Sequence, residues 1–434
     1  MNVRLQFASL VTLGILSGFV LAIILAASYY AGYVSWPLMI GLTVLFNFVM
    51  WLVGPYISDF MYKWFYKVEF YEYEQIKDKP FAQFVKRVCD EHGIKVPKIG
   101  IIKDQNPTAF TYGSASFNAR IVLTEGLFKF LDDREVEAVV AHELGHIINK
   151  DFIIMTIAAT LLQILYQLFF IFARSRSRGS DNKKGGYLVV IGIVSFIFYW
   201  VGTYVVLYLS RLREYYADEF AAEKTGDANL LSSALIKIAY GIAAVPDTQK
   251  TAHLLNATRA QGIFDFKSAN EFGLVHENSR NNKGLLEKAL LFDLVNPWAM
   301  LLELRSTHPL VGKRVRRLSS LAQAPAFDFD SIMDSSIDKG RLWSNFFKDV
   351  LVSYSILITI LVFIGLAVMQ FMAGVNQFLP MLVAFFLLII VLSIVKVRYR
   401  FPLGNFAETT VIDCMADIYA SPVKGKPVRM SGQA

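Results

Sequence analysis

Cysteine is scarce in this chain. Only Cys89 and Cys414 occur among 434 residues, far apart and in no metal-type spacing. That argues against a disulfide-stapled scaffold and fits a reducing compartment. Histidine is scarce too, with six residues in all. Charge is low: Asp, Glu, Lys and Arg make up 18%, against 55% hydrophobic residues. Such a chain is too apolar for an ordinary soluble protein. There is no internal repeat, no collagen-like period and no long low-complexity tract, so repeat and fibrous architectures are out.

What is abundant is long uncharged runs. A helix that crosses a bilayer needs roughly 20 apolar residues. Leu10 to Tyr30 is the first such run, longer than the ~7–15-residue core of a signal peptide. Trp36 to Ile57 follows at once, with aromatic residues at both ends as expected at a membrane interface. The two read as a transmembrane hairpin. Phe152 to Ala173, with Gln163 and Gln167 inside it, and Tyr187 to Leu209 are the third and fourth runs. Val350 to Met372 and Phe378 to Val395 are the fifth and sixth. Basic flanks of membrane segments then explain the formal net charge of +7 more simply than nucleic-acid binding does. Lys396, Arg398 and Arg400 follow the last run and put the C-terminal tail on the cytoplasmic side. Six spans return the N-terminus to that side. The basic loop Arg174 to Gly186 runs against the same tendency. Either the third and fourth runs form a hairpin that does not fully cross, or other basic flanks outweigh the loop.

Composition thus divides the chain into six parts. These are a transmembrane hairpin (1–58), a soluble catalytic part (59–151), two apolar membrane segments (152–209), a second soluble catalytic part (210–348), a C-terminal transmembrane hairpin (349–396) and a cytoplasmic tail (397–434). In the first soluble part the pattern predicts a helix over Pro80 to His92. Short strands follow over Lys98 to Lys103, Thr108 to Gly113 and Asn118 to Leu123. A helix begins within Thr124 to Phe130, and another runs from Asp133 to Asn149. Thr108 to Gly113 is a candidate edge strand, able to pair with an extended peptide. The alternative is an ordinary paired strand of the core. In the second soluble part, Ser210 to Gly226 continues the fourth run as helix, and Ala228 to Ala244 is another helix with Asp227 as N-cap. Pro246 to Lys288 is polar and irregular, and a basic helix within Thr307 to Leu321 starts at or just after Pro309.

The predicted helix Asp133–Asn149 carries His142-Glu143-Leu144-Gly145-His146, the pattern H-E-x-x-H. Positions four apart share a helix face, so His142 and His146 can aim two imidazoles at one spot. Two imidazoles so spaced can hold zinc, and Glu143 can act as general base without binding the metal. Asp132 or Asp133 can cap the helix, and Val136, Val139 and Val140 give it an apolar face. A chance match, or a pair of core histidines, is the plain alternative, but such a pair needs no carboxylate between its members.

Two histidines leave a catalytic zinc short of one protein ligand. A third histidine in H-E-x-x-H-x-x-G-x-x-H is excluded, because those positions are Asn149 and Phe152. The stretch Ser210-Arg211-Leu212-Arg213-Glu214-Tyr215-Tyr216-Ala217-Asp218 offers a carboxylate instead. Glu214 could be the ligand, with Asp218, four residues on, accepting a hydrogen bond from a ligating imidazole. Alternatively Glu214, Asp218, Glu219 and Glu223 are a solvated acidic face.

HELGH followed by Asn149 and Asp151, then S-R-x-R-E-Y-x-A-D, then Ser306-Thr307-His308-Pro309 before a basic helix, resembles the HtpX family of membrane zinc metalloproteases. That family is related to the CAAX prenyl endoproteases. The resemblance runs from the first hairpin to about Leu321. It implies a mainly α membrane protein, a multi-span helical bundle with a gluzincin-like zinc metalloprotease domain containing a small β-sheet. It implies one Zn2+ per chain on His142, His146 and Glu214, with Glu143 as base and Asp218 in support. It also implies that His308 and Arg314, six residues apart, hold the substrate or stabilise its oxyanion. For Arg314 the alternative is one solvated charge among Lys313, Arg316 and Arg317. The implied partners are polypeptides, chiefly membrane proteins, and the lipid bilayer. The implied setting is a prokaryotic inner membrane with the site facing the cytoplasm, and the implied task is quality control. Processing of lipidated C-terminal peptides is a second reading. A non-catalytic zinc-binding scaffold is a third, and the intact Glu143 speaks against it.

Overall fold

The computed structural model describes residues 36–174, 182–244, 290–329 and 337–429, with short gaps at 375–377, 405, 411–412 and 415–416, together with Phe19, Ile23 and Met333. The first apolar run apart from Phe19 and Ile23, residues 175–181 of the basic 174–186 loop, and the Pro246–Lys288 stretch lie outside the described residues. The chain divides into two units, Met1–Glu277 with Glu303–Phe327, and Asn278–Leu302 with Asp328–Ala434. Both are mainly helical. Among the described residues, five helices are long and apolar enough to cross a bilayer: Thr43–Tyr66, Asp151–Phe172, Tyr187–Thr225, Lys339–Ala373 and Phe378–Arg400.

In the first unit, α1 (Trp36–Tyr66) carries the second apolar run and continues past it. It stops at Lys67, whose φ of 53° is left-handed and cannot extend a helix. A four-stranded sheet follows: β1 (Glu69–Tyr71), β2 (Lys98–Ile102), β3 (Ala109–Tyr112) and β4 (Arg120–Thr124), in the order β1-β2-β4-β3. β2 and β4 pair in parallel with Ile99 opposite Ile121, and β3 pairs antiparallel to β4. The candidate edge strand is therefore an edge strand. β1 has no counterpart in the sequence reading, because three partly exposed residues carry no alternation to detect. Val68, Ile102, Phe110, Tyr112 and Val122 form the core on one face of the sheet. Each large apolar side chain buried there contributes about 1.5–3 kcal/mol.

Around the sheet stand α2 (Pro80–His92), the short α3 (Glu125–Phe130) and α4 (Asp133–Ile148). Asp132 caps α4 by accepting from the Glu135 backbone N–H at 2.9 Å, and the Glu135 side chain returns the bond to Asp132 at 3.0 Å. This reciprocal pair satisfies two otherwise orphaned N–H groups. α4 is buried on nearly every side, His142 and Glu143 included. Lys150, left-handed at φ 60°, turns the corner into α5 (Asp151–Arg174).

α6 (Asn182–Thr225) is one helix of 44 residues, roughly 65 Å long at 1.5 Å per residue. Its first half is the fourth apolar run and its second half is polar. α7 (Ala228–Ala244) follows, with Asp227 Oδ1 accepting from the Asn229 N–H at 2.9 Å. Inside the apolar layer α1 and α5 share two polar links. Thr43 donates to Gln167 at 2.5 Å, and Asn47 donates to Gln163 at 2.9 Å. Such bonds join helices where apolar burial alone gives no preference.

The short α8 (Pro297–Glu303) crosses the boundary between units, and α9 (Val311–Leu321) belongs to the first. The second unit contains α10 (Lys339–Ala373), α11 (Phe378–Arg400) and a two-stranded ladder of β5 (Ala407–Glu408) and β6 (Val428–Arg429). Asp349 is buried there and accepts from Trp298 Nε1 at 2.9 Å and the Tyr399 hydroxyl at 2.6 Å. Helices α1, α6, α10 and α11 run through the composition boundaries at 58, 209, 348 and 396 without a break.

Candidate metal centre and cleft

His142 and His146 stand one turn apart on α4, and their Nε2 atoms are 3.3 Å from each other. Glu214, from α6, closes the group. Its Oε2 lies 3.5 Å from His142 Nε2 and its Oε1 lies 3.5 Å from His146 Nε2. Gly145 makes this approach possible. A Cβ there would meet Ala217 Cα at 3.1 Å, so a larger residue would push α4 and α6 apart and carry Glu214 away from the imidazoles.

Each outer ring nitrogen faces a carboxylate. His142 Nδ1 lies 3.0 Å from Asp218 Oδ1. Asp218 in turn accepts from Arg314 Nε at 2.9 Å and Nη2 at 2.6 Å. His146 Nδ1 meets Asp151 Oδ2 at 2.7 Å, and the other Asp151 oxygen is paired with Arg213. Each imidazole therefore has a carboxylate behind it, and each carboxylate has a buried guanidinium behind it. Arg211 Nη1 donates to the carbonyls of Glu303 and Ser306, both at 2.8 Å, which anchors the loop carrying His308.

This arrangement fits a cation. Carboxylates at both Nδ1 atoms assign the proton to Nδ1, so each Nε2 presents a lone pair. Two Nε2 lone pairs and the Glu214 carboxylate then converge with no proton between them. The ligand atoms of His142, His146 and Glu214 all fall within 4.8 Å of one another. Nitrogens each ~2.0–2.1 Å from a tetrahedral zinc would stand roughly 3.3–3.4 Å apart, which matches the pair seen here. Without a cation the carboxylates work on the imidazoles instead. Burial pulls the His146 ring down, but Glu214 and Asp151 outweigh it and lift it to about 9. For His142, burial acts downward, and Asp218 and Glu214 reverse it to leave the ring above its ordinary value.

Glu143 is buried beside the centre, and Thr111 Oγ1 of β3 donates to its Oε2 at 2.5 Å. A cleft of about 390 Å³ opens in front of it, lined by Thr111 and Tyr112 of β3 and Gly113 just past it, by Glu143, His146 and His308, and by Phe152 and Met155 of α5. His308 Nδ1 lies 2.9 Å from Glu214 Oε2. Its Nε2 has no hydrogen-bond partner among the described residues.

His142, Glu143, His146, Glu214 and His308 thus come together at one point. Glu214 and Asp218 are 5% and 1% exposed, which rules out a solvated acidic face at those two positions. Arg314 is 1% exposed, so it is not one solvated charge among its neighbours. It does not line the cleft either, because its guanidinium is engaged with Asp218. Sequence reasoning missed Thr111, Asp151, Arg211 and Arg213 as contributors to the site. Asp151 and the two arginines appeared only as letters in the matched motifs.

A buried His-His-Glu cluster with a carboxylate base beside it, on a body carrying membrane-length helices, is the build of a membrane-anchored metallopeptidase. Comparison with known proteins gives the family. Residues 75–322 match the profile of peptidase family M48. A protease HtpX homolog of Archaeoglobus fulgidus is 28% identical over 322 residues, covering 73% of this chain and 88% of the relative. One from Methanothermobacter thermautotrophicus is 35% identical over 154 residues, covering 36% of this chain and 57% of the relative. The crystal structure of S. mikatae Ste24p overlays on 73% of the chain and 66% of its own, at 17% identity and a TM-score of 0.40, a likeness that adds nothing to the assignment. The chain belongs to peptidase family M48, among its HtpX proteases. It is an integral membrane protease, and its substrates are polypeptides.

Proposed function

We propose that this protein is a zinc-dependent endopeptidase that hydrolyses peptide bonds of membrane or misfolded proteins, as membrane protein quality control. The observation that carries this reading is the convergence of two imidazole Nε2 atoms and a carboxylate beside a buried, hydrogen-bonded glutamate. His142, His146 and Glu214 would hold one Zn2+, which would supply Lewis acidity to the attacking water and the scissile carbonyl.

The chain's own residues do the rest. Glu143 takes a proton from the water that attacks the carbonyl carbon and returns it to the leaving amine. Thr111 keeps that carboxylate aimed. His308 offers Nε2 to the oxygen on which charge develops. Asp218 and Asp151 fix the imidazole tautomers, and Arg314 and Arg213 hold those carboxylates, so Arg314 acts as a positioning residue. An extended substrate pairs with the edge strand β3, which forms one wall of the cleft. The basic flank after α11 and a count of six spans favour a cytoplasmic site, in the inner membrane of a prokaryotic cell.

The test is cleavage of an unfolded model protein by the purified full-length chain, with zinc content measured in parallel. Glu143→Ala should bind zinc like wild type and lose about 10²–10⁴-fold in kcat. Equal cleavage by both proteins sinks the reading.

A further inference from the structure

A second cavity of about 390 Å³ lies beside the cleft, between α1 and α5. Its walls include Val44, Phe48 and Trp51 on one side and Thr156, Ile157 and Thr160 on the other. No charged residue lines it, and the polar Asn47 on its wall is engaged by Gln163. Both helices are membrane-length.

Three observations connect this groove to the cleft. Thr156 lines both cavities. The edge strand β3 runs directly toward the groove: just past Gly113, Ser114 accepts from Trp51 Nε1 at 2.9 Å through its carbonyl, and its hydroxyl bonds the Trp51 carbonyl. Asp59 of α1 further ties this hairpin down through Arg120 and the Tyr112 hydroxyl, at 2.7 Å each. A chain paired along β3 and continued beyond Gly113 therefore meets Trp51 and the groove behind it.

We infer that the α1–α5 groove is a substrate subsite that takes an apolar stretch of the same polypeptide whose scissile bond lies in the cleft. This rests on the protease reading above and specifies the substrate: a chain with an apolar stretch several residues from the cleaved bond. The chemistry of the groove favours that occupant. A lining without charge inside the apolar layer penalises polar side chains, so the groove selects an aliphatic stretch over a polar one. Continuity with the cleft favours a segment of the substrate over a separate molecule.

The experiment uses full-length, zinc-loaded protein in detergent and a set of fluorogenic peptides that share one core sequence. The core carries either no extension, a Leu-rich extension or a Ser/Gln-rich extension, at its N-terminal or C-terminal end. With wild type, the Leu-rich extension at one end should raise kcat/KM by about tenfold over the Ser/Gln-rich one. Val44→Trp and Thr160→Phe, on opposite walls and outside the cleft, should cleave the unextended core at the wild-type rate and lose most of that advantage. A photoreactive group on the Leu-rich extension should label α1 or α5. The inference fails if neither end gains, if the gain survives in both variants, or if labelling falls elsewhere. A tightly held lipid that the extended peptide does not displace would assign the groove to lipid and overturn the inference. Wild type that cleaves no core peptide would instead overturn the protease reading itself.

Discussion

Thr111 Oγ1 donates to the Glu143 carboxylate at 2.5 Å, and that bond fixes the direction of the general base. A hydrogen bond to a charged group is worth about 1.5–3 kcal/mol. Thr111→Val keeps the shape and removes the donor. Steady-state kinetics should show kcat down by about 10–100-fold with KM little changed, and Thr111→Ser should restore most of the loss. A valine variant with wild-type kcat would mean that Glu143 is held by packing alone. The histidines predict a pH effect. In the metal-free protein Glu214 and Asp151 outweigh burial and lift His146 from its ordinary 6.5 to about 9. It is protonated at pH 7 and must lose that proton to bind a cation. Zinc addition should therefore release protons at pH 7, and the release should fade as the pH passes about 9, as calorimetry in buffers of different ionisation enthalpy will read. The same raised value stabilises the metal-free fold. That contribution is complete below pH 6.5 and lost as the pH rises through about 9. At this scale His142 and His146 were legible because four-residue spacing on a helix is local geometry. Asp151 and Arg213 pair across 62 positions, and no local pattern carries such a partner.

α6 and α9 between them supply most of what surrounds the centre. Arg314 of α9 clamps Asp218, and Arg213 of α6 clamps Asp151. Arg314→Met would leave Asp218 as a buried charge without its main partner. Losing one side of such a pair costs about 3–5 kcal/mol, and loosening the imidazole behind it weakens metal binding about 10–100-fold. Thermal unfolding and zinc titration should show both losses, and the double variant Asp218→Asn, Arg314→Met should lose less than the sum of its parts. Strict additivity would deny the clamp. Elements were largely readable where a pattern was present. Pro80–His92 and Ala228–Ala244 match their predicted ranges, and β2 and β4 fall within a residue or two. The polar continuation of α6 was readable too: Ser210 to Gly226 is expected as helix, and the helix ends at Thr225, before Gly226 at φ 74°. The end of α1 and the start of α10 were not readable, because apolarity stops at Ile57 and begins at Val350 with no helix-breaking signal at either point.

The molecule couples a membrane body to a cleft through continuous helices. α6 begins in its apolar half and ends with Glu214 and Asp218, while α5 leaves the corner at Lys150 with Asp151 behind His146 and Phe152 on the cleft wall. The His-His-Glu cluster thus joins α4 to the polar half of a helix of membrane length, and its members come from helices far apart in sequence. Glu214 became a firm ligand candidate only through the family resemblance, since an acidic helix face reads the same way when it is solvated. The most direct measurement is bound zinc per chain in purified wild type, Glu143→Ala and Glu214→Ala, determined by elemental analysis and titration. The account predicts one zinc in the first two and a loss of about 2–3 orders of magnitude in affinity for Glu214→Ala. Undiminished zinc affinity in Glu214→Ala would contradict it.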